Sequence, residues 1–119
     1  MYTVYGIANC NTVKKALDWL KANQVAYQFH DYKKKSITVP KLQAWSQQVG
    51  YELLINKKGT TWKQLPLEVQ QAIQNEETAI GLMMEKNSVI KRPLIEHNEQ
   101  IVALGFDETR YQQVLLQQP

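Results

Sequence analysis

The chain has very little cysteine. Its 119 residues contain one, Cys10, which excludes a disulfide within the chain. Disulfides are rare in reducing compartments, so the single cysteine favours a cytoplasmic location. Position 13 is Val13, so there is no Cys-x-x-Cys dithiol. Any redox cycle at Cys10 must therefore take its second thiol from another molecule.

Long apolar runs are also missing. The longest are a few residues, whereas a helix needs about 20 apolar residues to cross a bilayer. The N-terminus begins like a strand and lacks the basic and apolar regions of a signal peptide. We therefore expect no membrane segment and no signal peptide. The net charge of +3 gives a slight preference for anionic partners and no basis for direct nucleic-acid binding.

Potential metal ligands are sparse as well. The two histidines, His30 and His97, are far apart and have no Cys, His or carboxylate at ligand spacing, so we predict no metal site and no bound cofactor. What the sequence does have is 44% hydrophobic residues, enough for a core without staples. Repeats and Gly/Ser/Pro-rich linkers are absent, which predicts a single domain over residues 1–119.

Apolar spacing predicts the first three elements. Residues 3–7 form a short apolar strand, and Val13, Ala16, Leu17 and Leu20 mark one face of a helix. Residues 25–31 alternate and form a second strand. This order is a βαβ unit, whose two strands are parallel and whose crossover is right-handed.

The middle of the chain is predicted to be helical. Thr38 caps one helix, which Gly50 ends. A second helix begins at Pro66, and a third runs over about residues 78–86. The apolar residues that we expect the second helix to bury are Leu67, Val69, Ala72 and Ile73.

After Pro93 the pattern predicts an antiparallel hairpin, with strands at 94–95 and 101–104. Asp107 then caps a last helix. The whole order predicts an α/β chain with a thioredoxin-like fold. It has a mixed four-stranded sheet, β-α-β then β-β-α, with a helical insertion over about residues 39–87.

Cys10 lies in the loop between the first strand and the first helix, flanked by Asn9 and Asn11. Asn11 or Thr12 is the expected helix cap. A thiolate at a helix N-terminus is stabilised by backbone N–H groups, which lowers the thiol pKa and makes it reactive. The alternative is a structural role, since free cysteine is often buried for packing.

Two basic segments are candidate anion sites. Arg92, directly before Pro93, is suited to a two-pronged bond to an oxyanion or a carboxylate; the alternative is a surface salt bridge. Lys57 and Lys58 lie in a polar turn and can face an anion, or can belong to a solvated loop. We expect Arg92 and Cys10 to face one another.

Five segments together resemble the arsenate reductase/Spx family, and within it the YffB-like subgroup. They are residues 6–16 (GIANCNTVKKA), 29–32 (FHDY), 58–62 (KGTTW), 90–94 (IKRPL) and 104–106 (LGF). The resemblance implies a thioredoxin-like fold with a helical insertion. It also implies that Cys10 is the nucleophile and that Arg92 precedes a cis proline, Pro93.

The resemblance further implies a glutathione-dependent thiol reductase, with glutathione as co-substrate and glutaredoxin as a further partner. Cys10 and Arg92 are then the catalytic residues. The expected substrate or glutathione site comprises Asn9, Asn11, Lys57, Lys58, Arg92 and Pro93.

Two departures from the family leave alternatives open. Arsenate reductases of this family use three arginines, of which Arg92 alone has a counterpart here; residues near Asn56 and at 104–106 supply none. Spx proteins often carry a second cysteine where Val13 stands. The alternatives are an Spx-like regulator that binds RNA polymerase and a true arsenate reductase.

Overall fold

The computed structural model describes residues 1–116. The chain divides into two compact units: Met1–Lys35 with the chain from Arg92 onward, and Ser36–Lys91. The predicted helical insertion, residues 39–87, falls inside the second unit. That the whole chain is a single domain stays a prediction.

A four-stranded mixed sheet forms the base of the first unit. Its strands are Tyr2–Gly6 (β1), Tyr27–Asp31 (β2), Leu94–His97 (β3) and Gln100–Leu104 (β4). The spatial order is β2-β1-β3-β4. β1 is parallel to β2 and antiparallel to β3, and β3 is antiparallel to β4. The predicted thioredoxin-like fold is confirmed.

One face of this sheet carries the apolar core of the first unit. Two helices contribute to it: α1, Asn11–Ala22, and the last helix, Glu108–Tyr111, which continues as a wider turn over Gln112–Leu116. Because side chains alternate along a strand, the central strands supply every second residue to this core. Its buried members are Val4, Ala16, Leu20, Ile95, Ala103, Tyr111 and Leu115.

The alternate strand positions carry a buried polar cluster. The Tyr5 hydroxyl donates a hydrogen bond of 3.0 Å to Oε1 of Glu96, and both residues are buried. The ring of Tyr5 lies 4.8 Å from that of His30 and 6.3 Å from that of Tyr32. Among the described residues, the buried Tyr32 hydroxyl has no hydrogen-bond partner.

Tyr32 begins a short helix, Tyr32–Lys35 (α2). Its three lysines are exposed, as expected for a basic run. The helical turn forms because Oδ1 of Asp31 accepts a hydrogen bond of 2.9 Å from the Lys33 N–H. Such a side-chain bond satisfies one of the unpaired N–H groups of a first turn.

The second unit is helical. Its α-helices are Val39–Val49 (α3), Tyr51–Leu54 (α4), Thr60–Lys63 (α5), Leu67–Gln71 (α6) and Glu76–Glu85 (α7), followed by a 3-10 turn, Asn87–Val89. As predicted, the Thr38 side chain caps α3 by accepting from the Lys41 N–H. Gly50 ends α3 with a φ of 87°. The sequence predicts three helices here; α4 and α5 are single turns, too short for apolar periodicity to reveal.

The prediction that the helix after Pro66 buries its apolar residues is wrong. Leu67 is 67% exposed and Val69 is 36% exposed. Ala72 is also exposed and Ile73 is half-buried. α6 has only five residues, so its apolar spacing does not extend far enough to define a face that must be buried.

The C-terminal predictions are confirmed. β3 and β4 form the hairpin, with Asn98 and Glu99 at its turn in the left-handed region, at φ 51° and 66°. Oδ1 of Asp107 accepts from the Arg110 N–H at 3.1 Å and caps the last helix, which we call α8. None of the helices within residues 1–116 combines the length and the apolar character that a bilayer crossing requires.

Three buried tyrosines predict a loss of stability at alkaline pH. Burial raises the pKa of Tyr5, Tyr32 and Tyr111, assisted by the charge of Glu96 at Tyr5 and of Asp107 at Tyr111. A raised pKa means that the native state holds the phenol proton more tightly than the unfolded chain does. The stabilisation is therefore complete below the unfolded pKa of about 10 and is lost above it.

We expect the free energy of unfolding to fall as the pH rises above about 10. Tyrosinate absorbance and far-UV circular dichroism, followed together, should change in one cooperative transition. Tyr32→Phe should move this transition to higher pH, because one fewer buried phenol ionises on unfolding. Ionisation of all six tyrosines with unchanged dichroism would contradict the prediction.

Candidate functional site

Cys10 lies where β1 passes into α1. It occupies the cap position of α1 with extended backbone, φ −136°, and its side chain makes no capping hydrogen bond. The prediction that Asn11 or Thr12 caps this helix is wrong, since both already lie within it. The first turn closes one position earlier than predicted, because the Lys14 N–H donates to the Cys10 carbonyl at 2.9 Å.

The surroundings of Cys10 lower its thiol pKa. Burial alone would raise that pKa. The backbone N–H of Val13, the guanidinium of Arg92 and the N–H of Thr12 oppose this effect and together outweigh it. Arg92 contributes both a hydrogen bond to the sulfur and an opposite charge. The half-exposed thiol is thus in a setting that favours its nucleophilic thiolate form.

Strand pairing brings Arg92 to Cys10. β1 and β3 are antiparallel, with Tyr5 opposite Leu94, so the chain after β1 and the chain before β3 lie at the same end of the sheet. The Arg92–Pro93 peptide bond is cis. Arg92 is half-buried, Pro93 is buried, and Asn9 and Asn11 are exposed on either side of Cys10.

Gly105 and Tyr111 support this arrangement, and sequence reasoning gave them no part in the site. The Gly105 N–H donates to the Pro93 carbonyl at 2.7 Å, and the Tyr111 hydroxyl donates to the Gly105 carbonyl at 2.7 Å. Gly105 has a φ of 87°, which favours glycine. This main-chain contact places residues 104–106 against Pro93, and those residues bring no cation.

Lys57 and Lys58 belong to the second unit and are exposed. They lie in a tight turn in which Oδ1 of Asn56 accepts from the Lys58 N–H at 3.2 Å. Nζ of Lys57 lies 5.4 Å from the centre of the Trp62 ring, a cation–π distance. The residues that the first unit brings together are Asn9, Cys10, Asn11, Arg92 and Pro93.

Gly6 brings β1 unusually close to α1. A Cβ built on Gly6 would lie 2.9 Å from Cγ2 of Val13, closer than side-chain carbons approach in proteins. Val13 is a short β-branched residue with little freedom to move aside. Its N–H is one of the groups that stabilise the Cys10 thiolate, so the space at Gly6 helps to set the position of those N–H groups.

Within residues 1–116 the structure holds no group of three or more His, Cys, Asp or Glu placed to bind a metal ion. The chemistry that this site supports is that of a thiolate beside a guanidinium. Such a pair can attack a sulfur or another electrophile and can hold an anionic group next to it.

Comparison with known proteins decides the family. The sequence profile of the ArsC family matches residues 5–114. The chain belongs to the ArsC family. An uncharacterised protein of Haemophilus influenzae is 38% identical over 112 residues, which cover 94% of this chain and 96% of that protein. The resemblance drawn from the sequence motifs is confirmed.

A solved structure and a named regulator extend the comparison. The structure of a protein named YffB has a TM-score of 0.89 and 38% identity, and the match covers 97% of this chain and 99% of that one. The regulatory protein MgsR of Bacillus subtilis is 24% identical over 107 residues, 88% of this chain and 82% of the regulator. The ArsC family and its regulatory relatives support a function at the level of thiol reductase or regulator.

The Arg92–Cys10 contact predicts how the thiol titrates. Arg92→Ala should raise the Cys10 pKa, because the hydrogen bond and the opposite charge are both lost. Arg92→Lys should restore part of the effect, because lysine keeps the charge without the planar fork. The pKa of Cys10 is measured from the rate of iodoacetamide alkylation as a function of pH.

Lys91→Ala is the matched control, since it removes an adjacent exposed cation and leaves Arg92 in place. Its alkylation profile should coincide with that of the wild type. If Arg92→Ala also leaves the profile unchanged, the guanidinium does not act on the sulfur.

The close approach at Gly6 predicts a further effect. Gly6→Ala should lower the free energy of unfolding by about 1–3 kcal/mol, the usual result of overpacking, and should raise the Cys10 pKa by displacing the Val13 N–H. Urea unfolding and the alkylation profile measure the two effects. Gly81→Ala is the control, because a Cβ at Gly81 meets nothing within 4 Å. If Gly6→Ala is destabilised but its Cys10 keeps the wild-type pKa, then the packing at Gly6 does not affect the thiol, and the second part of this prediction is wrong.

Proposed function

We propose that this ArsC family protein is a glutathione-dependent thiol reductase that uses Cys10 as its single nucleophile. The observation that carries the proposal is the Cys10 thiol at the start of α1 with the Arg92 guanidinium beside it. A thiolate available near neutral pH is what thiol–disulfide exchange requires. The lack of a second cysteine requires that the resolving thiol come from another molecule, and glutathione supplies one.

The proposed cycle has two exchanges. The Cys10 thiolate attacks the glutathione sulfur of a mixed disulfide, forms a Cys10–glutathione disulfide and releases the substrate as a thiolate. The thiolate of a second glutathione then attacks the glutathionyl sulfur, releases the Cys10 thiolate and leaves as oxidised glutathione. Each turnover converts the mixed disulfide and one free glutathione into the substrate thiol and oxidised glutathione, so one disulfide is reduced and one is formed. Glutaredoxin can replace the free glutathione in the second exchange.

Recognition is assigned to the groups around the thiol. Arg92 holds a glutathione carboxylate by a two-pronged bond. That Lys57 or Lys58 supplies a second cation stays a prediction from the sequence. The exposed side chains of Asn9 and Asn11 are amide donors and acceptors for the peptide groups of glutathione. The buried ring of Pro93 fixes the backbone next to Arg92.

The test is a coupled assay in which glutathione, glutathione reductase and NADPH follow reduction of the mixed disulfide of glutathione and mercaptoethanol. We expect turnover by the wild type and none by Cys10→Ser. Arg92→Ala should raise the KM for glutathione about ten-fold, as for loss of one charged hydrogen bond. Lys57→Ala with Lys58→Ala should raise it about three-fold, as for an exposed ion pair.

Lys63→Ala is the control for the lysine variants, because Lys63 is also exposed and is not assigned to the site. It should leave the KM unchanged. Intact-protein mass after mixing with oxidised glutathione should show one glutathionyl adduct that reduced glutathione removes. Failure to form the adduct, or turnover that persists in Cys10→Ser, refutes the proposal.

A regulatory function is the second candidate, and the relatives named as regulators favour it. In this case the chain binds RNA polymerase and performs no chemistry. Retention of purified RNA polymerase at micromolar concentration, unchanged by Cys10→Ala, would support this candidate over the reductase. Arsenate reduction is expected to be absent or feeble in the same coupled assay, since residues 104–106 bring no cation to Pro93.

A further inference from the structure

The second unit has an open groove between α6 and α7, with a volume of about 360 Å³. One wall is formed by Val69, Ala72 and Ile73, spaced as one face of a helical turn, and the other by Leu82 of α7. Glu68 and Glu85 also line the groove. The groove thus has an apolar lining with one carboxylate on α6 and one on α7.

Apolar side chains of the groove are exposed to solvent. Val69 is 36% exposed, and Ala72, on the same face, is also exposed. Exposed apolar side chains beside a groove, bordered by charged residues, are typical of surfaces that another molecule covers. The exposed side of α6 therefore has the composition of an interface.

The charge of this region is opposite to that of the chain. Among the described residues, two glutamates, Glu68 and Glu85, line the groove, and neither lysine nor arginine does, in a chain whose net charge is +3. Thr78 is the remaining residue of the groove, and its hydroxyl is engaged with Asn75 in the cap of α7. The groove therefore offers carboxylate acceptors and apolar contacts, and its complement is a cationic, amphipathic ligand.

We propose that the groove between α6 and α7 binds a basic amphipathic helix of another protein. Two or three apolar side chains of that helix, spaced at i, i+3 or i+4 and i+7, enter the channel. Its lysines or arginines lie along the border and pair with Glu68 and Glu85. This function is independent of Cys10 and holds whether the chain is a reductase or a regulator.

A second copy of this chain is a poorer occupant. Its one basic run, Lys33–Lys35, lies on the four-residue helix α2, and the apolar residue of that helix, Tyr32, is buried. This run can supply charge to the groove but no apolar side chain. A partner with both properties on one helix face fits the groove better.

The test uses a labelled synthetic peptide in which leucine occupies the i, i+3, i+4 and i+7 positions and lysine the others. We expect it to bind the full chain with a micromolar Kd, measured by fluorescence anisotropy. A peptide with glutamate in place of lysine should bind at least about ten-fold more weakly, and rising salt should weaken the lysine peptide. Equal binding of both peptides, or no binding, overturns the proposal.

Variants locate the site. Val69→Ser and Glu68→Lys should each weaken binding of the lysine peptide about five-fold or more, the first by removing apolar contact and the second by charge reversal. Their controls are Val39→Ser, a valine with 40% exposure on α3, and Glu77→Lys, an exposed glutamate outside the groove. Both controls should bind like the wild type, and circular dichroism should show all four variants folded. If the groove variants bind like their controls, the proposal is wrong.

Sedimentation velocity tests the other occupant. We expect the wild-type chain to stay monomeric as its concentration rises. Self-association that Val69→Ser abolishes would assign the groove to a second copy of the chain and overturn the assignment to a basic partner.

Discussion

The antiparallel pairing of β1 with β3 is the constraint on which the candidate site depends. It sets Tyr5 opposite Leu94, although the two are far apart in the chain. The turn into α1 and the cis Arg92–Pro93 bond then come to one end of the sheet, and a guanidinium reaches the sulfur. The hydrogen bond from the Gly105 N–H to the Pro93 carbonyl belongs to the other pairing of β3, in which Leu104 of β4 lies opposite Leu94. The interactions of the site act only over short distances, and the pairing of the strands brings the interacting groups within reach of one another.

The features of the fold that could be predicted depend on short stretches of sequence and on the order of the elements. Thr38 and Asp107 cap helices because a side-chain oxygen can reach an N–H three residues ahead, a relation visible in a few letters of sequence. The parallel and antiparallel strands followed from the element order, since a βαβ crossover and a tight hairpin each permit one arrangement. The proximity of Arg92 and Cys10 then followed from topology together with the family resemblance.

The parts that escaped prediction depend on contacts across the chain or on helix length. Nothing near Tyr111 in the sequence indicates that its hydroxyl reaches the Gly105 carbonyl. Leu67 and Val69 were expected to be buried because their spacing is helical, but periodicity reports which residues share a face and not whether that face is covered. The cap residue is Cys10 and not the expected Asn11, because a single hydrogen bond decides at which residue a helix begins.

The buried pair of Tyr5 and Glu96 has a consequence for strand alignment. Glu96 is opposite Thr3, so the hydrogen bond from Tyr5 runs diagonally across the β1–β3 pair. Sliding β3 by one residue would turn Glu96 to the other face of the sheet, among Val4, Ala16 and Leu20. A carboxyl group there would lose its phenol donor and face only hydrocarbon, a severe penalty. Glu96 thus selects the correct strand register, because a pairing shifted by one residue would bury its carboxyl group without a hydrogen-bond donor.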